Sequence, residues 1–413
     1  MFIMYQPYIY YIPKLHHKLA MKQITISVLV TFLLCACGNN VRNSNMTLRM
    51  DNANIIRITT DSPQLIRVDN AKIISTSELL DMVEQVDYIK LDSSEPIGEI
   101  SKMVVTKDKI FILDSFTSQQ IFVFDKTGKL LYRIKNKGRG PKEYISIWDM
   151  QVDTIRNEIL LNDALARSYL YFSADDGQFI RREKGIANCY VARIDSLYVN
   201  LQNNGQDFND EENWAILITD KDSVIYKGFE FKPIQEGDYI VNSFYRDNDG
   251  SLLYTPINSD TVYQFTSPMA AYAKYVVCQE RSIWKLYNER LSEPEICKLI
   301  KERNYTRYSA NFLTTKNHVF FSIQHKWNAY ITSRPYFWDK RTNSIYEWKI
   351  SKPSIICDII GLPQASYNNI FISTFPSIKT PEEYKNTLNP RLKKLLDNSN
   401  EGDNPILALY TLK

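Results

Sequence analysis

Apolar runs of strand length, each broken by an aspartate or a turn residue, recur along most of the chain. The clearest copy lies between Ile110 and Ile134, where Ile110-Phe111-Ile112-Leu113 and Ile121-Phe122-Val123-Phe124 run into Asp114 and Asp125, and a Thr127-Gly128 turn leads into Leu130. This pattern predicts strand, loop, strand, tight turn, strand. A shift of 49 positions lays Ile159-Leu160-Leu161 on Ile110-Phe111-Ile112, Asp163 on Asp114, Tyr171-Phe172 on Phe122-Val123 and Gly177 on Gly128. A repeat of roughly 40 to 50 residues holding about four strands is the signature of propeller blades, whose sheets must pack on one another to bury their faces.

Further copies are expected over Ile147 to Arg182, over Cys189 to Leu201 with Trp214 to Tyr226, over Tyr239 to Val277, over Ala310 to Trp348 and from Ile355 to Phe375. In the third, Lys221-Asp222 stands in place of the turn glycine; in the fourth, Asp249-Gly250 between apolar runs predicts a hairpin. Helical patterns fall at Ser75 to Gln85, with Ser75 and Glu78 in capping-box spacing, at Ile283 to Arg303, and from Pro381 to about Leu396. A last apolar run, Ile406 to Leu412, ends the chain. A ring of blades needs its seam closed, so this strand is expected to share a sheet with an early one, Ile55-Ile56 or Val86 to Leu91. The fold class expected is all-β: a six-bladed β-propeller over residues 51–413, closed by N- and C-terminal strands, with two inserted surface helices.

The first fifty residues follow a different pattern. From Met21, Lys22 supplies a positive start and Ile24 to Leu34 an apolar stretch of about a dozen residues, short for a membrane span and suited to a signal peptide. It ends in Leu34-Cys35-Ala36-Cys37-Gly38, which resembles the bacterial lipobox and makes Cys37 the expected lipidation site. Residues 1–20, with Tyr5, Tyr8, Tyr10 and Tyr11, fit no part of such a signal, so translation is expected to begin at Met21. Residues 21–36 then form the signal peptide and 37–50 a polar lipidated tether. The tether lacks the acidic pair that resembles a surface-export signal, which points to a periplasm-facing outer-membrane anchor.

Charge changes the picture once this leader is set aside. The net charge is +3, but Lys14, Lys18 and Lys22 precede Cys37 and no acidic residue does, which leaves 47 basic against 47 acidic residues. A neutral chain is no case for a nucleic-acid partner. Cys189, Cys278, Cys297 and Cys357 are widely spread, with no C-x-x-C pair, and read as buried thiols, although an exported chain could pair two of them.

Asp87-Tyr88-Ile89-Lys90-Leu91, Gly138-Arg139-Gly140-Pro141-Lys142-Glu143-Tyr144, Asp260-Thr261-Val262-Tyr263 and Asn404-Pro405-Ile406-Leu407 together resemble the six-bladed β-propeller lipoprotein family of Bacteroides-type bacteria, an NHL-like group. The likeness covers most of the chain after about residue 50 and keeps motif order; Lys142 stands where the family has a glycine. The resemblance implies the fold, export and lipidation, and no established reaction. It points weakly to a glycan or peptide ligand.

Among chemistry-bearing residues, the Gly138 to Tyr144 loop is the leading ligand site. Its glycines and Pro141 shape a turn from which Arg139, Glu143 and Tyr144, with Trp148 just beyond, could grip an anion or stack on a sugar. The competing reading makes it the crossover between blades, with Arg139 and Glu143 bonding its own backbone. His318 and His325 are the only histidines after the leader, too few for metal hydrolysis, and read as structural. No Gly-x-Ser-x-Gly elbow is present, and Asp114, Asp163 and Asp260 at strand ends read as acceptors of turn N–H groups. No cofactor, metal or catalytic residue is assigned. The function expected is a non-catalytic binding or assembly module for a glycan, peptide or protein partner, held to the membrane through Cys37; the alternative is a glycan-cleaving lyase or hydrolase with its site on the axial face.

Overall fold

The computed structural model describes residues 52–413 apart from 187–189, 203–213, 231–242, 257–258, 290, 329, 351–359 and 378–388. The expectations for the leader, the tether and Cys37, together with Cys189 and Cys357, fall outside the described residues. Apolar runs buried on both faces in the inner strands, as in Lys109–Asp114 and Gln120–Asp125, and alternation in outer strands such as Ala270–Cys278 build six antiparallel sheets. Blade 1 contains strands Lys102–Val105, Lys109–Asp114, Gln120–Asp125 and Leu130–Ile134, and blade 2 contains Asp149–Asp153, Glu158–Asp163, Ser168–Ser173 and Phe179–Lys184. Blade 3 starts at Tyr190–Ile194 and ends at Val224–Glu230, blade 4 runs from Phe244–Arg246 to Ala270–Cys278, and blade 5 from Arg307–Thr314 to Ser344–Trp348. The first strand of each blade touches the first strand of the next, all the way round, so these six strands enclose the axis.

Blade 6 holds the seam. Its strands Ala365–Tyr367, Ile370–Phe375 and Ile406–Leu412 come from the end of the chain and its outer strand Val83–Lys90 from the beginning. Ile406 pairs with Lys90 and Tyr410 with Val86, antiparallel, so of the two early strands expected as partners the second is the one used. Val86 to Leu91 thus completes the last blade and does not open the first. Closure by paired termini leaves no sheet edge at the junction.

The Ile55-Ile56 run has another place. Asn54–Ile55, Arg57–Thr59, Gln64–Arg67 and Lys72–Ile74 form a strap that passes outside blades 3, 4 and 5, each piece adding in parallel to the outer strand. Ile56, Ile66 and Ile74 point inward and are buried, while Ile55, Leu65 and Ile73 point out. The strap ends in the helix Thr76–Met82, where the capping box forms as expected: Ser75 N–H donates to the Glu78 carboxylate (2.8 Å) and Glu78 N–H donates to Ser75 Oγ (3.2 Å). The expected helix at Ile283 to Arg303 is a 3-10 stretch, Ile283–Glu289, followed by the helix Glu293–Arg303. The start expected at Pro381 lies outside the described residues; the described helix there is Pro390–Asp397, with Pro390 in its first turn and Asn389 capping it.

The core lies in the wedges between blades. Phe111, Val123, Leu161 and Phe172 fill the wedge of blades 1 and 2, Ile216, Phe244 and Tyr254 that of blades 3 and 4, and Trp338 with Phe312 and Phe321 that of blades 4 and 5. Between blades 2 and 3 the filling is tyrosine: Tyr169 stacks on Tyr198 with centroids 4.3 Å apart, and the Tyr171 and Tyr198 hydroxyls meet and pass on to Glu183. Arg181 closes this network, paired to Glu158 and Glu183 and lying 3.6 Å over the Tyr171 ring. Buried hydroxyls need such partners, since each unpaired one costs about 1 to 3 kcal/mol.

Candidate functional site

In an antiparallel four-stranded blade the first and third turns fall at one end, and the second turn and the crossover to the next blade at the other. At the first end the connections are tight: 106–108, 126–129, 154–157, 195–196, 220–223, 268–269 and 340–343. Gly128 and Gly177, matched by the sequence repeat, occupy the same turn of blades 1 and 2 with φ of 90° and 73°. At the other end lie 135–148, the described parts 279–289 and 291–306 of the connection after blade 4, and 376–377 with 389–405. Long connections on one face of a rigid ring are where binding residues are usually carried.

Two aspartates organise that face. Asp114 ends the second strand of blade 1, is fully buried, and accepts from Gly98 N (3.0 Å), Thr117 N (2.9 Å) and Ser118 N (3.1 Å). Asp163 ends the second strand of blade 2 and accepts from Ile145 N (2.7 Å), Ser146 N (3.2 Å) and Ala166 N (3.1 Å). Each carboxylate therefore staples the crossover entering its blade to the turn leaving its second strand, and both are turn acceptors as expected. Asp260 differs: it opens the third strand of blade 4 and takes the Gln279 side-chain amide (2.7 Å) and the Ser282 hydroxyl. Burial pushes its carboxyl up to about 6.

Between the staples, at the axis end of blades 1 to 3, lies a pit of about 50 Å³ lined by Lys102, Ser115, Phe116, Trp148, Asp149 and Tyr190. Gln119, held at φ 55°, sets its wall: its carbonyl accepts from the Tyr144 hydroxyl (2.7 Å) and its side-chain oxygen from Ile147 N (2.8 Å), which brings Trp148 beside Phe116. Asp149 forms the floor. Its carboxylate accepts from Lys102 Nζ (2.7 Å), Met150 N (2.8 Å), Val191 N (3.1 Å) and Gln151 Nε2 (3.3 Å). Those four donors occupy the lone-pair sites of its two oxygens, so Asp149 is an acceptor fixed by the fold with no site left open for a bound group. At about 10 to 15 Å³ per water, the pit holds roughly three to five waters, or a single projecting group of a larger ligand.

The four sequence-predicted binding residues separate here. Trp148 lines the pit, half-buried. Tyr144 is wholly buried in the wedge of blades 1 and 2. Glu143 reaches back within its loop and accepts from Gly140 N (2.7 Å), its carboxylate lying against Gly138. Arg139 is exposed at the loop tip. Lys102, Asp149 and Tyr190 escaped sequence reasoning because each is ordinary in its strand, and Phe116 because it lies in the turn after Asp114; only the position of Lys102 and Asp149 on first strands, at the crossover ends, signals them. His318 and His325 are the first and eighth residues of strand His318–Trp327, roughly 23 Å apart at 3.3 Å per residue, so they cannot share a metal. Both are buried, and burial pushes each imidazole down to about 4.

A family model described as a domain of unknown function, DUF4934, matches residues 63–411. The chain belongs to the DUF4934 family. No curated protein matches this DUF4934 chain. Among solved structures it is similar to a candidate exported protein of Bacteroides fragilis, with 18% identity, a TM-score of 0.67, and coverage of 85% of this chain and 100% of that one. It is also matched to a member of the DUF4221 family from Bacteroides vulgatus (13% identity, TM-score 0.48, 80% and 97% covered) and to virginiamycin B lyase from Staphylococcus aureus (10% identity, TM-score 0.39, 79% and 99% covered). At 18% identity the likeness to the Bacteroides fragilis protein is one of fold.

Proposed function

We propose that this DUF4934 protein is a non-catalytic binding or assembly module of the bacterial envelope, anchored in the outer membrane by lipid on Cys37 and facing the periplasm. It presents the long-connection face of the propeller to a glycan, peptide or protein partner. The observation that carries this reading is the pit at the axis: Phe116, Trp148 and Tyr190 stand around a carboxylate whose acceptor sites are already filled. Aromatic rings around a fixed floor suit stacking, and Lys102 and Ser115 in the same lining suit hydrogen bonding of a bound group. The cleaving alternative calls for an acid and a base with shifted ionisation converging on one cavity. Among the described residues, Asp260, whose carboxyl burial raises, and His318, His325, Lys126 and Lys340, whose basic groups burial lowers, do not line the pit. Export is supported by the lipobox-like residues and by the Bacteroides fragilis relative, itself described as a candidate exported protein.

The test is thermal stabilisation of the chain from residue 38 onward, screened against glycan and peptide pools, followed by Trp148→Ala on any hit. A true ligand at 100 times its Kd adds about 2.7 kcal/mol and raises the melting temperature. Trp148→Ala should weaken that ligand at least tenfold and leave the unliganded melt within a few degrees. Turnover of a bound glycan, seen as new reducing or unsaturated ends, refutes the non-catalytic reading.

A further inference from the structure

A second cleft of this protein lies away from the axis. About 320 Å³ in volume, it lies on the outer rim where the strap crosses from blade 4 to blade 5, and it is lined by Arg67, Asn70, Lys72, Asn343, Ser344 and Tyr346, with Leu65 and Ile345. Its origin is a mismatch of register. The strap leaves blade 4 where Arg67 pairs with Cys278, makes the 3-10 turn Val68–Asn70, and rejoins blade 5 where Lys72 pairs with Tyr346. Ser344 and Ile345, the first residues of that outer strand, have no strap partner, so the sheet stands open at this point. Alternation does the rest: Ile66 is buried, which turns its neighbours Leu65 and Arg67 outward into the cleft.

The lining is chemically one-sided. Two cations face the cleft and no carboxylate lines it. Lys72 is balanced from the helix side by Glu78 (3.3 Å), with both side chains largely in solvent. Arg67 makes no ion pair among the described residues. Asp69, in the same turn, is directed away and accepts from Glu280 N (3.4 Å). Around the cations stand two side-chain amides and two hydroxyls, groups that donate to and accept from ligand hydroxyls, and Leu65 and Ile345 supply a short apolar wall. A volume of this size sits at the lower end of small-ligand pockets, roughly 300 to 1,000 Å³.

From this lining we infer a second binding site, for a small hydroxylated carboxylate, a sugar acid of one or two rings. The Arg67 guanidinium takes the carboxylate in its planar two-pronged fashion and Lys72 adds charge. Asn70, Asn343 and Ser344 bond the ring hydroxyls, and Tyr346 with Leu65 covers a ring face. The site is independent of the axial pit, since the two cavities have no residue in common.

Titration calorimetry on the full-length protein in detergent tests it, with glucuronate as probe, glucose as the same body without the charge, and sulfate as charge without the body. Glucuronate should bind at least tenfold tighter than glucose or sulfate, and more weakly as sodium chloride is raised from 50 to 500 mM, because this cleft is open to screening. Arg67→Gln should raise the glucuronate Kd tenfold or more, and Arg67→Lys by less. Arg67 is an exposed edge-strand residue, so both variants should melt with the parent; Ser344→Ala, on the opposite wall, provides a second arm with a weaker loss. Equal binding of glucose and glucuronate, no glucuronate binding up to 50 mM, or an unchanged Kd in Arg67→Gln overturns the proposal.

Discussion

Burial sets the ionisation of Asp260, His318 and His325 in opposite directions, and their pH dependences can be separated. The Asp260 carboxyl, pushed up to about 6 against an ordinary value near 3.8, holds its proton more tightly folded than unfolded. Its contribution is therefore full at low pH and is lost as pH rises from about 4 through 6; two pKa units correspond to about 3 kcal/mol at most. The histidines, pushed down to about 4 from 6.5, act the other way: their contribution is present above 6.5 and is lost as pH falls toward 4. Lys285, which faces Asp260, works against its upward shift without cancelling it. Asp260→Asn should flatten the loss between pH 4 and 6 and raise stability at pH 7 relative to the parent, read by urea unfolding across that range. A parallel pair of curves for parent and variant would remove Asp260 from the account. The sequence grouped Asp260 with Asp114 and Asp163 because all three border apolar runs. What separates them is whether turn N–H groups or side chains surround the carboxylate, and that is settled only when blade 4 meets the 279–306 connection.

At the scale of elements, the turns carry the repeat. Gly128 closes the third turn of blade 1 at φ 90°, and a Cβ there would lie 2.2 Å from the Lys90 carbonyl oxygen of the closing strand. Its glycine therefore serves two demands: a backbone conformation hostile to L side chains, and the contact of blade 1 with the seam. Gly128→Ala should destabilise the protein by more than the ~1 kcal/mol usual for such a φ, because the steric conflict is with backbone that cannot rotate away. Urea melts of Gly128→Ala beside Gly250→Ala, whose Cβ meets nothing within 4 Å at φ 83°, separate the two demands; equal losses would assign everything to φ. Helix ends were similarly legible where a cap is local, as at Ser75. The Thr76–Met82 helix stops earlier than its pattern reaches because Val83 is recruited into the closing strand, a tertiary claim on a local propensity.

For the whole molecule, the seam is the feature on which closure depends. The strand Ile406–Leu412 sits between Ile370–Phe375 and Val83–Lys90 and buries Ile406, Leu407, Ala408, Tyr410 and Leu412. Ending the chain at Pro405 would expose both neighbouring edges and remove residues from the wedges on either side of blade 6. The expected result is loss of cooperative unfolding and aggregation, measured by calorimetry and light scattering; a truncated chain with a parent-like transition would show that the ring closes without its clasp. Strand identity, the blade repeat, the turn glycines and the terminal clasp were all readable in order along the chain, because they rest on short apolar runs and on turn residues only a few positions apart. The path of the strap, the staples made by Asp114 and Asp163, the pit of Lys102, Phe116, Trp148, Asp149 and Tyr190, and the rim cleft at Arg67 and Lys72 were decided only in three dimensions. Each depends on which blades become neighbours and in what register, and that is fixed by packing between segments far apart in the chain, about which local pattern is silent.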